Sequence, residues 1–182
     1  MEPNSKSTQN KKGLVIVNTG DGKGKTTAAL GVILRSWGRG FRICVIQFIK
    51  PEESKTGEYL AANKLAIEWH RCGDGFTWLS KDEIESVDFA RRGWELAQEK
   101  ILSGAYDLIV LDEFTYPMYF KWINTVDVVN WLTINKLAHT HLIITGRNAP
   151  VEIVDYADIV TEMKMVKHPY NQGIKGQLGI EF

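Results

Sequence analysis

Apolar residues fall in short runs along this chain, divided by polar stretches rich in glycine. Leu14 to Thr19 is the first run; it ends at a glycine cluster and predicts a buried strand. From Thr26 to Trp37 small and apolar residues recur at helical spacing, until Gly38 and Gly40 stop the pattern. Phe41 to Phe48 is a second apolar, β-branched run. Lys50 to Gly57 reads as a loop, Glu58 to Lys64 as a short helix, Ala66 to Trp69 as a short strand, and Arg71 to Trp78 as a loop.

Further on, Ile84, Val87, Ala90, Trp94, Ala97 and Ile101 trace one face of a helix over Lys81 to Leu102. Asp107 to Asp112 is a very apolar strand that ends in acids, and Val126 to Leu137 is helical. A strand at Leu142 to Thr145, a helix at Val151 to Tyr156 and an extended segment from Asp158 to Val166 follow, then a polar tail from Lys167. Strands alternate with helices, and the strands are apolar at successive positions, as parallel strands covered on both faces require. The expectation is an α/β protein with a mainly parallel central sheet. Residues 1–12 read as a flexible tail and 13–182 as a single domain.

Composition narrows the partners. The chain has 182 residues, enough to bury a large core without disulfides, and is 44% hydrophobic and 24% charged. Lysine plus arginine and aspartate plus glutamate are balanced at 22 each, so no basic footprint suggests nucleic acid or an anionic membrane. No apolar run reaches the ~18 residues of a membrane helix, and the polar N-terminus does not read as a signal peptide, so the cytoplasm is the expected location. Cys44 lies in an apolar run and reads as core; Cys44 and Cys72 have the spacing of neither a disulfide framework nor a zinc site. His70, His139, His141 and His168 show no metal-ligand spacing either.

The strongest chemical signal is Gly20-Asp-Gly-Lys-Gly-Lys-Thr-Thr27, between a predicted strand and a predicted helix. Glycines let successive backbone N–H groups converge, and the helix N-terminus adds positive potential, so the segment favours phosphate. Gly20, Asp21, Gly22, Lys23, Gly24, Lys25, Thr26 and Thr27 are thus candidate ATP-binding residues, with Lys25 as a point charge and Thr26 as a magnesium ligand. The loop is a variant: the first glycine of the common G-x-x-x-x-G-K-[ST] spacing falls on Thr19. A second signal is Leu108-Ile-Val-Leu-Asp-Glu113, which puts carboxylates at the carboxyl end of a buried strand, where open parallel sheets bind ligands. If the strand stays regular, Asp112 and Glu113 point to opposite faces, so only one is expected to touch the metal while the other serves structure or the water shell.

These motifs, in one order, resemble those of the ATP:corrinoid adenosyltransferases of the CobA/CobO/BtuR type. The resemblance rests on Thr19 to Ala29, Val45 to Lys50, Gly75-Phe-Thr-Trp78, Val110-Leu-Asp-Glu113 and Ile144-Thr-Gly-Arg147. It continues through Ala157 to Met163, Lys167-His168, Gly173-Ile-Lys and Gly179-Ile-Glu-Phe182, nearly the whole chain from Gly13. Two positions depart from a common form: Asp21 stands where that form has Asn, and Pro51 where it has Gly.

The resemblance implies a three-layer P-loop NTPase-like fold and a specific reaction. Cob(I)alamin or another corrinoid attacks C5′ of ATP and triphosphate leaves, with ATP held so that its α end takes the usual γ place. It implies Lys25 and Glu113 as catalytic, Thr26 and Glu113 as Mg2+ ligands, and Phe76 and Trp78 against the corrinoid. Arg35 and Arg147 are weaker candidates for nucleotide contacts. It also implies a homodimer and an electron donor such as a reductase or flavodoxin. From the residues alone, two other readings stand beside it: a small-molecule kinase or NTPase acting at the γ-phosphate, and a non-catalytic nucleotide switch. Only the adenosyltransferase reading gives Phe76 and Trp78 a corrinoid to hold.

Overall fold

The computed structural model describes residues 12–51, 53–73 and 83–181. Six parallel strands form one sheet in the order β3-β2-β4-β5-β1-β6. They are β1 (Val15–Thr19), β2 (Ile43–Pro51), β3 (Glu68–Gly73), β4 (Leu108–Asp112), β5 (His141–Thr145) and β6 (Ile159–Glu162). The helices are α1 (Lys25–Trp37), α2 (Gly57–Lys64), α3 (Glu83–Leu102), α4 (Thr115–Tyr119), α5 (Thr125–Asn135) and α6 (Val151–Tyr156), with a 3-10 turn at Pro169–Gln172.

The alternation of side chains along each strand divides the core in two. On one face Ile43, Val45, Leu108, Val110 and Ile143 pack under Ala29 and Ile33 of α1 and Ala62 of α2. On the other, Cys44, Ile46, Phe48, Ile109, Leu111 and Ile144 pack against Ala90, Ala97 and Ile101 of α3, Val128 and Leu132 of α5 and Ile153 of α6. Helices on both faces of a parallel sheet make the expected three-layer α/β architecture. Phe114, wholly buried, stacks on Trp94 at 5.2 Å and meets Phe48 at 4.7 Å, tying α3 to the ends of β2 and β4. Local chemistry sets the helix ends: the Asn124 side chain accepts from the N–H of Val126 at 2.9 Å and of Asp127 at 3.2 Å, starting α5.

Three expectations need correction. The third strand is Glu68–Gly73, not Ala66 to Trp69; Ala66 is in a turn with φ 54°. An edge strand buries its residues only in part, so Glu68, His70 and Arg71 need not be apolar; the part of the expected Arg71 to Trp78 loop up to Gly73 is strand, and the rest lies outside the described residues. β2 runs on to Pro51 through an irregularity after Phe48, where Ile49 has φ 71°, so the polar loop also starts later than Lys50. Coverage on both faces holds for the inner strands only, since every residue of β6 is exposed. The apolar stretch from Tyr116 to Phe120 overlaps α4: Pro117 and Met118 are buried, whereas Tyr119 and Phe120 are exposed.

Candidate nucleotide-binding site

Strands β1, β2, β4 and β5 end side by side, and the residues that follow them build the site. After β1 the chain turns through Gly20–Gly24 into α1, with Gly20 at φ 95° and Gly24 at φ 105°. The segment after β6 packs against this loop: Met163 N–H donates to the Thr19 carbonyl at 2.8 Å, and Gly22 N–H donates to the Met163 carbonyl at 2.7 Å. A Cβ on Gly20 would lie 2.5 Å from that Met163 oxygen, so the loop needs glycine there for close approach as well as for its dihedral. Lys25 Nζ donates to the carbonyls of Gly20 and Gly22, both at 2.7 Å, which draws the loop around the ammonium group.

A wholly buried carboxylate, Asp112 at the end of β4, joins the loop to the sheet. Its Oδ1 accepts from Thr26 Oγ1 at 2.9 Å and from Thr145 Oγ1 at 2.6 Å, and its Oδ2 accepts from Gln47 Nε2 at 2.8 Å. Thr145 Oγ1 in turn accepts from the Glu113 N–H at 3.0 Å. Four elements are thereby locked around one anion whose lone pairs are satisfied by short neutral donors. The strand does not stay regular past Asp112, because Glu113 has φ 60°. That turn brings Glu113 into the cleft while Asp112 stays behind Thr26. The two acids are therefore set in different surroundings by a left-handed residue rather than by strand alternation.

The cleft has a volume of about 590 Å³. Its walls bring Lys23, Lys25, Lys50 and Arg147 together with Glu58 and Glu113, and Leu30 and Tyr116 add apolar surface. Burial raises the Glu113 carboxyl to about 7, and the nearby Asp112 charge adds to the rise against Lys50 and Lys25. Burial lowers the Lys25 ammonium, Arg147 lowers it further, and the Asp21 and Glu113 charges oppose them. Arg147 follows Gly146, whose φ is 141° and whose added Cβ would lie 2.0 Å from Thr115 Oγ1; that hydroxyl donates to the Arg147 carbonyl at 2.6 Å. The C-terminal segment reaches the same cleft through Gly179, Ile180 and Glu181, and Glu181 pairs with Lys23 at 2.9 Å.

Of the residues expected in the site, Lys23, Gly24, Lys25, Thr26, Thr27, Glu113 and Arg147 line the cleft. Gly20, Asp21 and Gly22 shape the loop behind it, and exposed Asp21 acts on Lys25 through its charge. Arg35 is exposed in the last turn of α1 and is not among the cleft residues. Phe76 and Trp78 lie outside the described residues. His168 caps the 3-10 turn, its Nδ1 accepting from the Tyr170 N–H at 3.1 Å, and Lys167 is exposed. Sequence reasoning passed over Gln47 and Thr145. Gln47 is a polar residue inside an apolar run and Thr145 ends one, which is the one local sign of their role.

The oxygen donors suit a hard cation: Thr26 offers a hydroxyl and Glu113 a carboxylate at the head of the phosphate loop, a donor set that fits Mg2+. The model of the family described as ATP:corrinoid adenosyltransferase BtuR/CobO/CobP matches residues 11–182. A corrinoid adenosyltransferase of Sinorhizobium sp is 41% identical over 174 residues, covering 94% of this chain and 81% of that protein. The corrinoid adenosyltransferase of Escherichia coli K12 is 35% identical over 175 residues, covering 96% and 88%. Corrinoid adenosyltransferase CobA of Salmonella typhimurium is 34% identical over 174 residues, covering 96% and 88%.

Proposed function

Since the chain belongs to the ATP:corrinoid adenosyltransferase family and is an enzyme of that kind, we propose that the cleft between the phosphate loop and Glu113 carries out the adenosyl transfer. The observation that carries this reading is the chain of hydrogen bonds from Thr26 through Asp112 and Thr145 to Glu113, which joins a phosphate cradle to a cleft-facing carboxylate.

The corrinoid, as the cob(I) nucleophile, forms a cobalt–carbon bond at C5′ of ATP. The C5′–oxygen bond breaks, and its electron pair leaves with triphosphate. Negative charge therefore grows on the leaving group, so the cradle must be preorganised for an anion. Lys25 and the backbone N–H groups of Lys23–Thr27 hold the triphosphate, and Arg147, which lines the same cleft, adds charge. Thr26 and Glu113 would hold Mg2+, which when bound supplies charge neutralisation for the triphosphate. Asp112 does not touch the substrate; it positions the Thr26 hydroxyl and, through Thr145, the Glu113 backbone. Phe76 and Trp78 are assigned to the corrinoid. The protein would act as a homodimer in the cytoplasm and receive cob(I) from a reductase or flavodoxin; no helix among the described residues is long and apolar enough to cross a membrane.

An anaerobic assay with chemically reduced cobalamin, ATP and magnesium tests the reading. Loss of the cob(I)alamin absorbance with triphosphate as product is the expected result. Release of γ-phosphate with no adenosylation would overturn it in favour of a kinase or NTPase.

A further inference from the structure

We propose that Cys44, Glu68 and His70 form a second metal site, for a thiophilic divalent cation of the zinc class, on the face of the sheet opposite the nucleotide cleft. A ligand atom from each of the three lies within 4.8 Å of the others. Strand register assembles them. Cys44 is paired with Glu68 across β2 and β3, and His70 follows two residues along the same edge strand. All three side chains therefore stand on the α3 face. Gln47, three residues beyond Cys44, faces the other way and belongs to the nucleotide cleft. The two sites use opposite faces of β2.

The chemistry of the donors selects the ion. A sulfur, an imidazole nitrogen and a carboxylate oxygen make a mixed set that suits zinc and excludes magnesium or calcium, which take oxygen. Cys44 is wholly buried and forms the floor, whereas the side chains of Glu68 and His70 keep 36% and 32% of their exposure and give an ion a way in. Tetrahedral coordination separates ligand atoms by roughly 3.3–3.8 Å. Separations of up to 4.8 Å must therefore contract by at most about an ångström, and the 2.7 Å contact of His70 Nε2 with Glu68 Oε1 must open, both within reach of edge-strand rotamers. Water completes the sphere.

Glu68 is already an anion held for a cation. Its Oε1 accepts from Lys100 Nζ at 3.0 Å and meets His70 Nε2 at 2.7 Å, and its Oε2 accepts from the Tyr106 hydroxyl. Burial pushes its carboxyl up, but the bonds from Tyr106, His70 and Lys100 outweigh that and hold it at about 2. Lys100 thus occupies the position of charge that an ion would take. Burial and the Glu68 charge push the Cys44 thiol up to about 12, so it is protonated in the metal-free protein. Binding then forms bonds from the ion to Sγ, to one imidazole nitrogen and to Oε1. It breaks the S–H bond and releases that proton to solvent. It also breaks the hydrogen bond between His70 and Oε1, leaves the imidazole proton on the ring nitrogen that does not ligate, and displaces the Lys100 ammonium from Oε1.

The test is titration of the chelator-treated full-length protein with Co2+ as a spectroscopic stand-in for Zn2+. A thiolate-to-cobalt charge-transfer band saturating at one equivalent, removed by Zn2+ and unchanged by excess Mg2+ and ATP, is the expected result. Cys44→Ser should lose the band, and His70→Ala should weaken binding by at least about tenfold. Lys100→Met should bind severalfold more tightly, because the competing ammonium is gone, an outcome that a purely structural ion-pair network does not predict. Absence of the band, or loss of Co2+ when Mg2+ and ATP are added, overturns the proposal. So does unchanged affinity in both His70→Ala and Lys100→Met, which keeps the test decisive even if Cys44→Ser fails to fold.

Discussion

Two polar clusters flank β2, and they are built on opposite plans. On the α1 face Asp112 is wholly buried and satisfied by Thr26, Thr145 and Gln47, all neutral and short. On the α3 face Glu68 is part-exposed and satisfied by Lys100, His70 and Tyr106, two of them capable of carrying charge. Neutral donors around a buried carboxylate fix geometry while leaving its charge for others to feel. Glu113 feels it, since the Asp112 charge adds to burial in raising the Glu113 carboxyl to about 7. The part-exposed cluster neutralises its charge at once and projects little. A site that must hold a triphosphate needs the first plan; a site that can exchange one cation for another needs the second.

The cleft is the region where substitution should cost most. Lys25→Ala removes the ammonium that the loop carbonyls of Gly20 and Gly22 surround. Loss of a preorganised charge beside the leaving group is expected to lower kcat by about 10²–10³-fold, while circular dichroism stays native. A smaller loss, within about threefold in a steady-state anaerobic assay, would show that Arg147 and the backbone N–H groups alone carry the anion.

Next in size comes Glu113→Gln, with about a 10²-fold loss of kcat/KM from the missing cation ligand and a second, independent signature in stability. Glu113 titrates at about 7 in the folded protein against 4.5 for an ordinary glutamate. Folding therefore favours its protonated form. The stability this contributes is complete below pH 4.5 and is lost as pH rises through about 7, because only the unfolded chain ionises freely in that window. In metal-free and nucleotide-free protein, wild type should lose stability relative to Glu113→Gln between those pH values. Parallel denaturant midpoints for the two proteins across that range would contradict the environment assigned to Glu113.

Thr145→Val should cost less and reveal the link between the two acids. It removes the donor to Asp112 Oδ1 and leaves the Glu113 N–H unpaired, a loss of about 1–3 kcal/mol in stability. Activity should fall roughly tenfold through misplacement of Glu113, and Thr145→Ser should restore most of it. Equal activity in the valine and serine variants would break the proposed connection.

How far the molecule could be read beforehand follows from whether a feature is local. β1, the glycine loop and α1 are consecutive, so their order alone marks a phosphate site; β4 with Asp112 and Glu113 is marked by an apolar run that ends in acids. The helix at Val151–Tyr156 lies where its pattern puts it. β3 was misplaced because an edge strand tolerates Glu68, His70 and Arg71 where an inner strand would not. Gln47 and Thr145 escaped because their partner is Asp112, reached only when three strands align. The turn at Glu113 escaped as well, since no glycine announces its positive φ. For the same reason no spacing of cysteines or histidines could join Cys44 to His70, which meet through the register of β2 on β3.

The smallest effect should come from the α3 face. Tyr106→Phe removes one of the donors to Glu68 and leaves Lys100 and His70 in place. Because that carboxylate is part-exposed, water replaces the lost hydroxyl, and the cost should stay under about 1 kcal/mol by denaturant midpoint. Adenosyl transfer should not change, for Glu68 and Gln47 stand on opposite faces of neighbouring strands. Both results together would confirm that the two plans are independent. A drop in kcat with Tyr106→Phe would instead mean that the clusters communicate through β2, and the separation drawn between them would fail.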